Sequence, residues 1–203
     1  MKVHEEIKKA IEVGNLNAVK SLVEKGVDIH AEGEYLLTST AYFGHLDIFK
    51  YLVEKGADVH VGEGAPLIIA AEQGKLNIVK YLIEKGVKAH KNTALKYAAS
   101  KGHLDIVRLL VESGADIHTN NDEAFIWACR GGHVEVVKYL VEQGADVKVI
   151  SVEDIALLKK YREILTVLWG RLPKEKLLPF LVSDSKKVRE VAKEMLKEEG
   201  YGL

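Results

Sequence analysis

The chain has 203 residues, of which 47% are apolar and 29% charged, a balance typical of a globular protein with a substantial core. Basic residues number 29 and acidic residues 30, so the net charge of −1 does not favour nucleic acid or a membrane as the main partner. The single cysteine, Cys129, excludes an internal disulfide framework and fits a reducing compartment. Residues 1–15 place charges where a signal peptide needs an apolar run, so we expect a cytoplasmic or nuclear protein.

A segment with the pattern of one amphipathic helix occurs five times along the chain. The copy GHLDIFKYLVEKGADVH at 44–60 has apolar residues Leu46, Phe49 and Leu52 at helical spacing and Gly56 where the helix should end. Its counterparts lie at 14–30, 74–90, 102–118 and 132–148. The glycines that open the five copies are 30, 30, 28 and 30 residues apart. A period of this size indicates a solenoid of stacked helical units.

Another helical pattern precedes the later copies, at 65–74, 93–102 and 123–132. Small residues such as Ala70 and Ala71 in this pattern allow neighbouring helices to approach closely. Together, APLIIAAEQGKLNIVKYLIEKG and its sister segments resemble the ankyrin repeat, which combines a T-P-L-H-x-A-A helix with a G-H-L-x-[IV]-V-x-x-L-L-x-x-G-A-D helix. The resemblance covers about residues 5–148.

The resemblance implies an all-α ankyrin-repeat solenoid of stacked helix–turn–helix units over residues 1–148, with the first copy as a degenerate N-terminal cap. Ankyrin repeats normally have 33 residues, whereas these have 30 or 28, and the missing residues fall in the connectors. We therefore expect stunted finger loops. Shortened repeats that end in histidine are similar to those in ankyrin proteins of large DNA viruses.

Seven of the eight histidines occupy repeated positions, some after the helix-opening glycine, as His45 and His103 do, and others at the end of a copy. Equivalent positions in stacked helices lie roughly 8–10 Å apart, whereas zinc ligands lie ~2 Å from the ion. We expect these histidines to hydrogen-bond backbone groups between helices, and we expect no metal site. Cys129 takes the place of Ala71 and Ala99, which predicts a buried spacer. No catalytic motif occurs, so neither an enzyme nor a cofactor is expected.

In ankyrin proteins, partners contact the connectors and the exposed side of the first helix of each repeat, on the concave face. The resemblance assigns that role here to the connector residues Glu32, Tyr35, Glu63 and Lys91 and to the first-helix residues Tyr42, Phe43, Gln73, Lys101 and Arg130. Three of these, Tyr35, Tyr42 and Phe43, are aromatic residues of the second repeat, and exposed aromatic groups often anchor a partner. The alternative is that they pack on the first repeat as a local cap. Trp127 stands where leucine is usual, and we expect it in the core.

Residues 149–203 are expected to form a helical C-terminal cap, which begins with a segment compatible with a degenerate sixth repeat. The later part also resembles a single HEAT-type helix pair. A third interpretation is that LPKEKLLPFLVSDSKKV resembles the start of an F-box, which would bind a Skp-type ubiquitin-ligase subunit. The matching positions are Leu172, Pro173, Leu177, Leu178, Phe180 and Leu181.

The sequence thus predicts a monomeric, non-catalytic module that binds an unidentified partner protein on its concave face. One alternative is a substrate adaptor that recruits a ubiquitin ligase through the F-box-like segment. Another is a repeat scaffold selected or designed for stability, since closely similar repeats are unusually stable.

Overall fold

The computed structural model describes residues 2–88 and 90–150, together with the single positions 164, 167, 168, 171, 189 and 193. Contacts between residues divide the chain into two units, Met1–Asp116 and Ile117–Leu203. Most of the expected cap and all of the F-box-like positions therefore lie outside the described residues.

The first unit consists of paired helices in its described residues. Its helices are α1 (Lys2–Glu12), α2 (Leu16–Glu24), α3 (Ala31–Phe43), α4 (Leu46–Glu54), α5 (Val61–Glu72), α6 (Leu76–Glu84), α7 (Lys91–Lys101) and α8 (Leu104–Glu112). The described part of the second unit contains α9 (Thr119–Gly131), α10 (Val134–Glu142) and a 3₁₀ turn (Val147–Val149). No strand occurs in the described ranges, which confirms the all-α prediction.

The helices of the first unit form two layers. The first helices of the repeats, α1, α3, α5 and α7, pack on one another in chain order. The second helices, α2, α4, α6 and α8, form the other layer in the same order, and each packs on the first helix of its own repeat. Each second helix buries one apolar stripe, represented in α4 by Ile48, Phe49 and Leu52, all with no exposed surface. The ring of Phe49 meets the ring of Tyr81 edge-on, with centroids 6.0 Å apart.

A contact between a glycine and a histidine joins successive repeats. A Cβ atom added to Gly14 would lie 2.6 Å from Cε1 of His45, and one added to Gly74 would lie 2.7 Å from Cε1 of His103. In both repeats the imidazole Nε2 donates a hydrogen bond to the last carbonyl of the preceding first helix, at 3.3 Å to Glu12 and 3.0 Å to Glu72. Such terminal carbonyls have no partner within their own helix. The predicted structural role is confirmed for these two histidines.

The connectors are short turns in place of hairpin fingers. In α5 three consecutive residues, Gly62–Gly64, have left-handed backbone angles, and the N–H of Gly64 bonds the carbonyl of His60 at 3.2 Å. The corresponding turn of α9 contains Asn120–Asp122 in the same conformation. There, the buried carboxylate of Asp122 accepts a hydrogen bond of 2.8 Å from Nδ1 of His118. A single closed turn of this kind needs fewer residues than a hairpin, which explains the shortened repeat.

Two expectations about individual positions differ from the structure. Trp127 was expected in the core, but this prediction is wrong because 39% of the residue is exposed. It lies on the outward face of α9, where its Nε1 donates to Glu123 at 3.2 Å and the guanidinium of Arg130 lies 5.2 Å from the ring. Tyr35 belongs to α3 and not to a connector. The prediction for Cys129 is confirmed, since it is fully buried.

Candidate protein-binding surface

Exposed large apolar side chains are confined to the first helices and their ends. Within the described residues they are Val13, Tyr35, Tyr42, Phe43 and Trp127. None of them lies on a second helix. Because three of the five share α3, this helix presents the main apolar surface of the described first unit.

One face of α3 forms a shallow groove, which we call the α3 groove. It has a volume of about 310 Å³ and is lined by Tyr35, Thr38, Ser39, Tyr42, Phe43 and Ile69. The five α3 residues follow the spacing that places side chains on one helical face. The opposite face carries the buried residues Leu36, Leu37, Thr40 and Ala41. The fold thus uses one side of α3 for packing and leaves the other to solvent.

Contacts with neighbouring rings fix the two aromatic residues at the end of α3. The rings of Tyr42 and Phe43 meet edge-on, with centroids 5.2 Å apart and an angle of 83° between their planes. The ring of Phe43 also stacks on His45, at 6.4 Å and 20°. His45 is itself bonded to the carbonyl of Glu12. Tyr42 is nevertheless 50% exposed and Phe43 is 37% exposed.

Tyr35, at the other end of the groove, contacts the first repeat. The ammonium group of Lys8 on α1 lies 4.5 Å from the centroid of the Tyr35 ring, a cation–π distance. For Tyr35, this contact supports the alternative that the aromatic residues pack on the first repeat. The residue still has 40% of its surface exposed. Tyr35 therefore keeps a face that a partner can reach.

A second groove lies beside the first and shares Tyr35 with it. This groove, which we call the α1 groove, has a volume of about 540 Å³ and is lined by Glu5, Glu6, Lys8, Lys9, Glu12 and Tyr35. The three glutamates are exposed and form no ion pair with any residue in the described part of the chain. Carboxylates outnumber ammonium groups in the lining, and one ammonium faces the Tyr35 ring. The α1 groove is therefore acidic.

The other predicted contact residues do not gather at this place. Glu63 is exposed in the left-handed turn of α5, and the half-buried Gln73 directly follows the last residue of the same helix. The ammonium of Lys91 donates a hydrogen bond of 2.6 Å to the backbone carbonyl of Ser113, a residue of the same repeat. The exposed residues Lys101 and Arg130 lie at the ends of α7 and α9, with Lys101 at 3.8 Å from a carboxylate oxygen of Glu72. The side chain of Glu32 lies outside the described residues.

The described residues offer surfaces suited to binding side chains. No group of three or more His, Cys, Asp and Glu side chains within them is placed to hold a metal ion. None of their helices has the length and hydropathy needed to span a lipid bilayer. What the α3 groove does provide is apolar ring surface with hydroxyl groups at its edge.

The paired helices and the surface on their first members define a helix–turn–helix repeat protein. The family model described as ankyrin repeats (3 copies) matches residues 7–92 and 67–151, which together cover more than half of the chain. The chain belongs to the ankyrin repeat family, whose members generally serve as modules for protein–protein interaction. No curated protein sequence matches the chain.

Solved structures agree with this fold. The crystal structure of the human ASB11 ankyrin repeat domain superposes with a TM-score of 0.77 at 23% sequence identity. The match covers 93% of this chain and 96% of that domain. At this level of identity the likeness establishes the fold alone.

Proposed function

We propose that this chain is a non-catalytic recognition module that binds a partner protein on the exposed face of its first helices. The α3 groove is the anchoring point. The observation that carries the proposal is the grouping of Tyr35, Tyr42 and Phe43 on one solvent-facing side of α3. The remainder of residues 1–148 would hold this face in place, with residues 149–203 as a cap.

The composition of the groove supports this role. Aromatic residues contribute a large share of binding energy in protein interfaces because they bury much area with little loss of conformational freedom. A contiguous exposed apolar surface is unfavourable in an isolated domain unless a partner covers it. The α3 groove has both features, because it contains three aromatic residues and these form a contiguous apolar surface with Ile69.

The rigidity of the anchor supports it as well. The Phe43 ring lies between Tyr42 and His45, and His45 is bonded to α1. A partner therefore meets side chains that are already oriented, which lowers the entropy lost on binding. By this reasoning the groove acts as a preformed site.

A second contact point is proposed on α9 within the second unit. Trp127 and Arg130 lie on the exposed face of that helix, with the guanidinium 5.2 Å from the ring. Tryptophan and arginine are the residue types that most often dominate interface energies. We expect this pair to add to binding.

Affinity capture from cell lysate with quantitative mass spectrometry tests the proposal. The bait proteins are the wild type, a Tyr42→Ser/Phe43→Ser double variant, and a Lys80→Ser/Glu84→Ser control that changes the exposed side of α6. We expect one or more proteins to be captured by the wild type and the control but lost with the double variant. Thermal unfolding should show that all three baits are fully folded at the temperature of the capture. Equal capture by the double variant would contradict the proposal.

A further inference from the structure

We infer that the partner segment held by the α3 groove is basic: it inserts one large apolar side chain there and places a lysine or arginine in the neighbouring α1 groove. This inference rests on the proposed function and specifies the chemistry of the partner. Charge complementarity between the partner and the α1 groove carries the argument.

The volume of the α3 groove limits the size of the apolar side chain that the partner can insert. Its volume of about 310 Å³ is near the lower limit of about 300 Å³ for small-molecule pockets, and the groove is open on one side. It suits one or two side chains and does not enclose a whole ligand. The walls are mainly rings and the Ile69 side chain, with polar groups from Thr38 and Ser39. A phenylalanine, tryptophan or leucine from the partner matches this lining.

The carboxylates that line the α1 groove favour a partner segment with a positive charge. Glu5, Glu6 and Glu12 are exposed there and have no ion pair with a described residue, so their carboxylates are available to an incoming cation. Two lysines also line the groove, but the ammonium of Lys8 lies over the Tyr35 ring. A basic side chain is attracted to this groove, whereas an acidic one is repelled.

Two contacts connect the acidic groove to the aromatic one. Tyr35 lines both grooves. At the other end, His45 bonds the backbone carbonyl of Glu12 and stacks on the ring of Phe43. The backbone of Glu12 and the ring of Phe43 are therefore separated by a single imidazole. One short segment can engage both grooves together.

The helix spacing predicts the separation of the two partner side chains. Packed helices lie about 8–10 Å apart, and an extended segment advances about 3.3 Å per residue. Side chains on one face of an extended segment are two residues apart, about 7 Å, so the apolar and basic residues should be two positions apart, with the long basic side chain covering the rest of the distance. In a helical partner the same distance corresponds to about five to seven positions.

Selection from a phage-displayed library of random peptides tests this inference directly. The targets are the wild-type chain and a Glu5→Lys/Glu12→Lys variant, each checked for native circular dichroism. We expect wild-type selection to enrich peptides with an aromatic or leucine residue near a lysine or arginine. The charge-reversed target should instead enrich aspartate or glutamate at the same position. Replacing the basic residue of a selected peptide with glutamate should weaken binding to the wild type by about tenfold.

The outcomes separate the inference from the proposed function. If enriched peptides lose binding with Phe43→Ser but carry no charge preference, the groove is a protein-binding site and the inference is wrong. If the peptides bind Phe43→Ser as well as wild type, or if no peptide is enriched, the inference is also overturned. Self-association of the wild type that disappears with Phe43→Ser would identify a second copy of the chain as the occupant and exclude a basic peptide.

Discussion

Phe43 and Phe49 belong to the same repeat but have opposite environments. Phe43 ends the first helix and is 37% exposed, whereas Phe49 lies on the second helix and has no exposed surface. The tyrosines of the second-helix layer are also covered: lysine ammonium groups lie 5.6 and 5.7 Å from the Tyr51 ring and 5.4 and 5.5 Å from the Tyr81 ring. The fold therefore covers the rings it needs for packing. On α3, Lys8 lies over one face of Tyr35, whereas Tyr42 and Phe43 stay 50% and 37% exposed, as the anchoring role proposed for them requires.

The largest difference between the two layers should appear when each phenylalanine is replaced by alanine. We expect Phe49→Ala to lower the free energy of unfolding by about 3–5 kcal/mol, because it leaves a cavity beneath the Tyr81 ring. Phe43→Ala should lower it by about 1 kcal/mol or less, as for a surface position. Urea denaturation followed by circular dichroism measures both. Equal losses would show that Phe43 is a packing residue and would remove the basis of the anchoring role.

Glycines follow both the first and the second helices, so replacing one glycine of each kind with alanine compares the stability of the two layers. A Cβ on Gly74, after the first helix α5, would meet His103 at 2.7 Å, whereas a Cβ on Gly86, after the second helix α6, would have no neighbour within 4 Å. Both have positive φ, at 71° and 78°. We expect Gly86→Ala to lower stability by about 1 kcal/mol from backbone strain alone. Gly74→Ala should lower it by about 2–3 kcal/mol because the imidazole must move.

Thermal or chemical unfolding of the two glycine variants gives the comparison. The difference between them isolates the contact with His103, since the backbone angles are nearly the same. Stability losses of equal size would indicate that the imidazole shifts without hindrance, and the glycine would then be required for its conformation only.

Removing the imidazole should have a smaller effect. His103→Ala deletes the 3.0 Å bond to the Glu72 carbonyl, and we expect a loss of about 1–2 kcal/mol because a helix-end carbonyl loses its partner. His45→Ala should have less effect, since its bond is longer, at 3.3 Å, and more exposed to water. Hydrogen exchange at the ends of α1 and α5 would report each loss locally. No change at either end would exclude a stabilising role for these bonds.

The smallest expected change in stability is that caused by replacing Tyr51 on the second helix α4. The hydroxyl of Tyr51 is buried and has no hydrogen-bond partner in the part of the chain that the structure describes. Tyr51→Phe removes that group and keeps the ring between its two lysines. We expect stability to stay the same or to rise by up to about 1 kcal/mol. A measured loss would reveal that the hydroxyl contributes to packing.

The repeat period predicted the fold well because the glycines and apolar positions of each copy are fixed by packing. The second helices end where the glycines indicated, for example before Gly56. The left-handed connectors were not predicted, although Gly62–Gly64 and Asn120–Asp122 are rich in the residues that tolerate positive φ. Only the expectation of a stunted loop came from the sequence. The shape of the turn depends on bonds, such as that between Asp122 and His118, which join side chains to the connector.

The candidate site was predictable in part. The sequence indicated Tyr35, Tyr42 and Phe43 as an anchor because exposed aromatic residues grouped in one repeat often bind a partner. Their meeting in one groove with Ile69 required the packing of α3 on α5. Trp127 was assigned to the core because leucine is usual at its position, whereas in the structure its ring lies beside Glu123 and Arg130. The acidic α1 groove was not predicted because its glutamates belong to the repeat whose sequence matches the pattern least.

The glycine–histidine contact has a consequence for how this chain can change in length. Each contact joins a residue of one repeat to a residue of the next, and the separation along the chain is about one repeat. Duplication of a repeat that carries the histidine can therefore recreate the same junction, whereas at Gly44 the neighbouring side chain is that of Lys75. The aromatic rings of α3, in contrast, occur in one repeat only. Recombination by whole repeats beyond α5 could therefore lengthen or shorten the scaffold without altering the two proposed binding grooves, which draw on α1, α3 and α5.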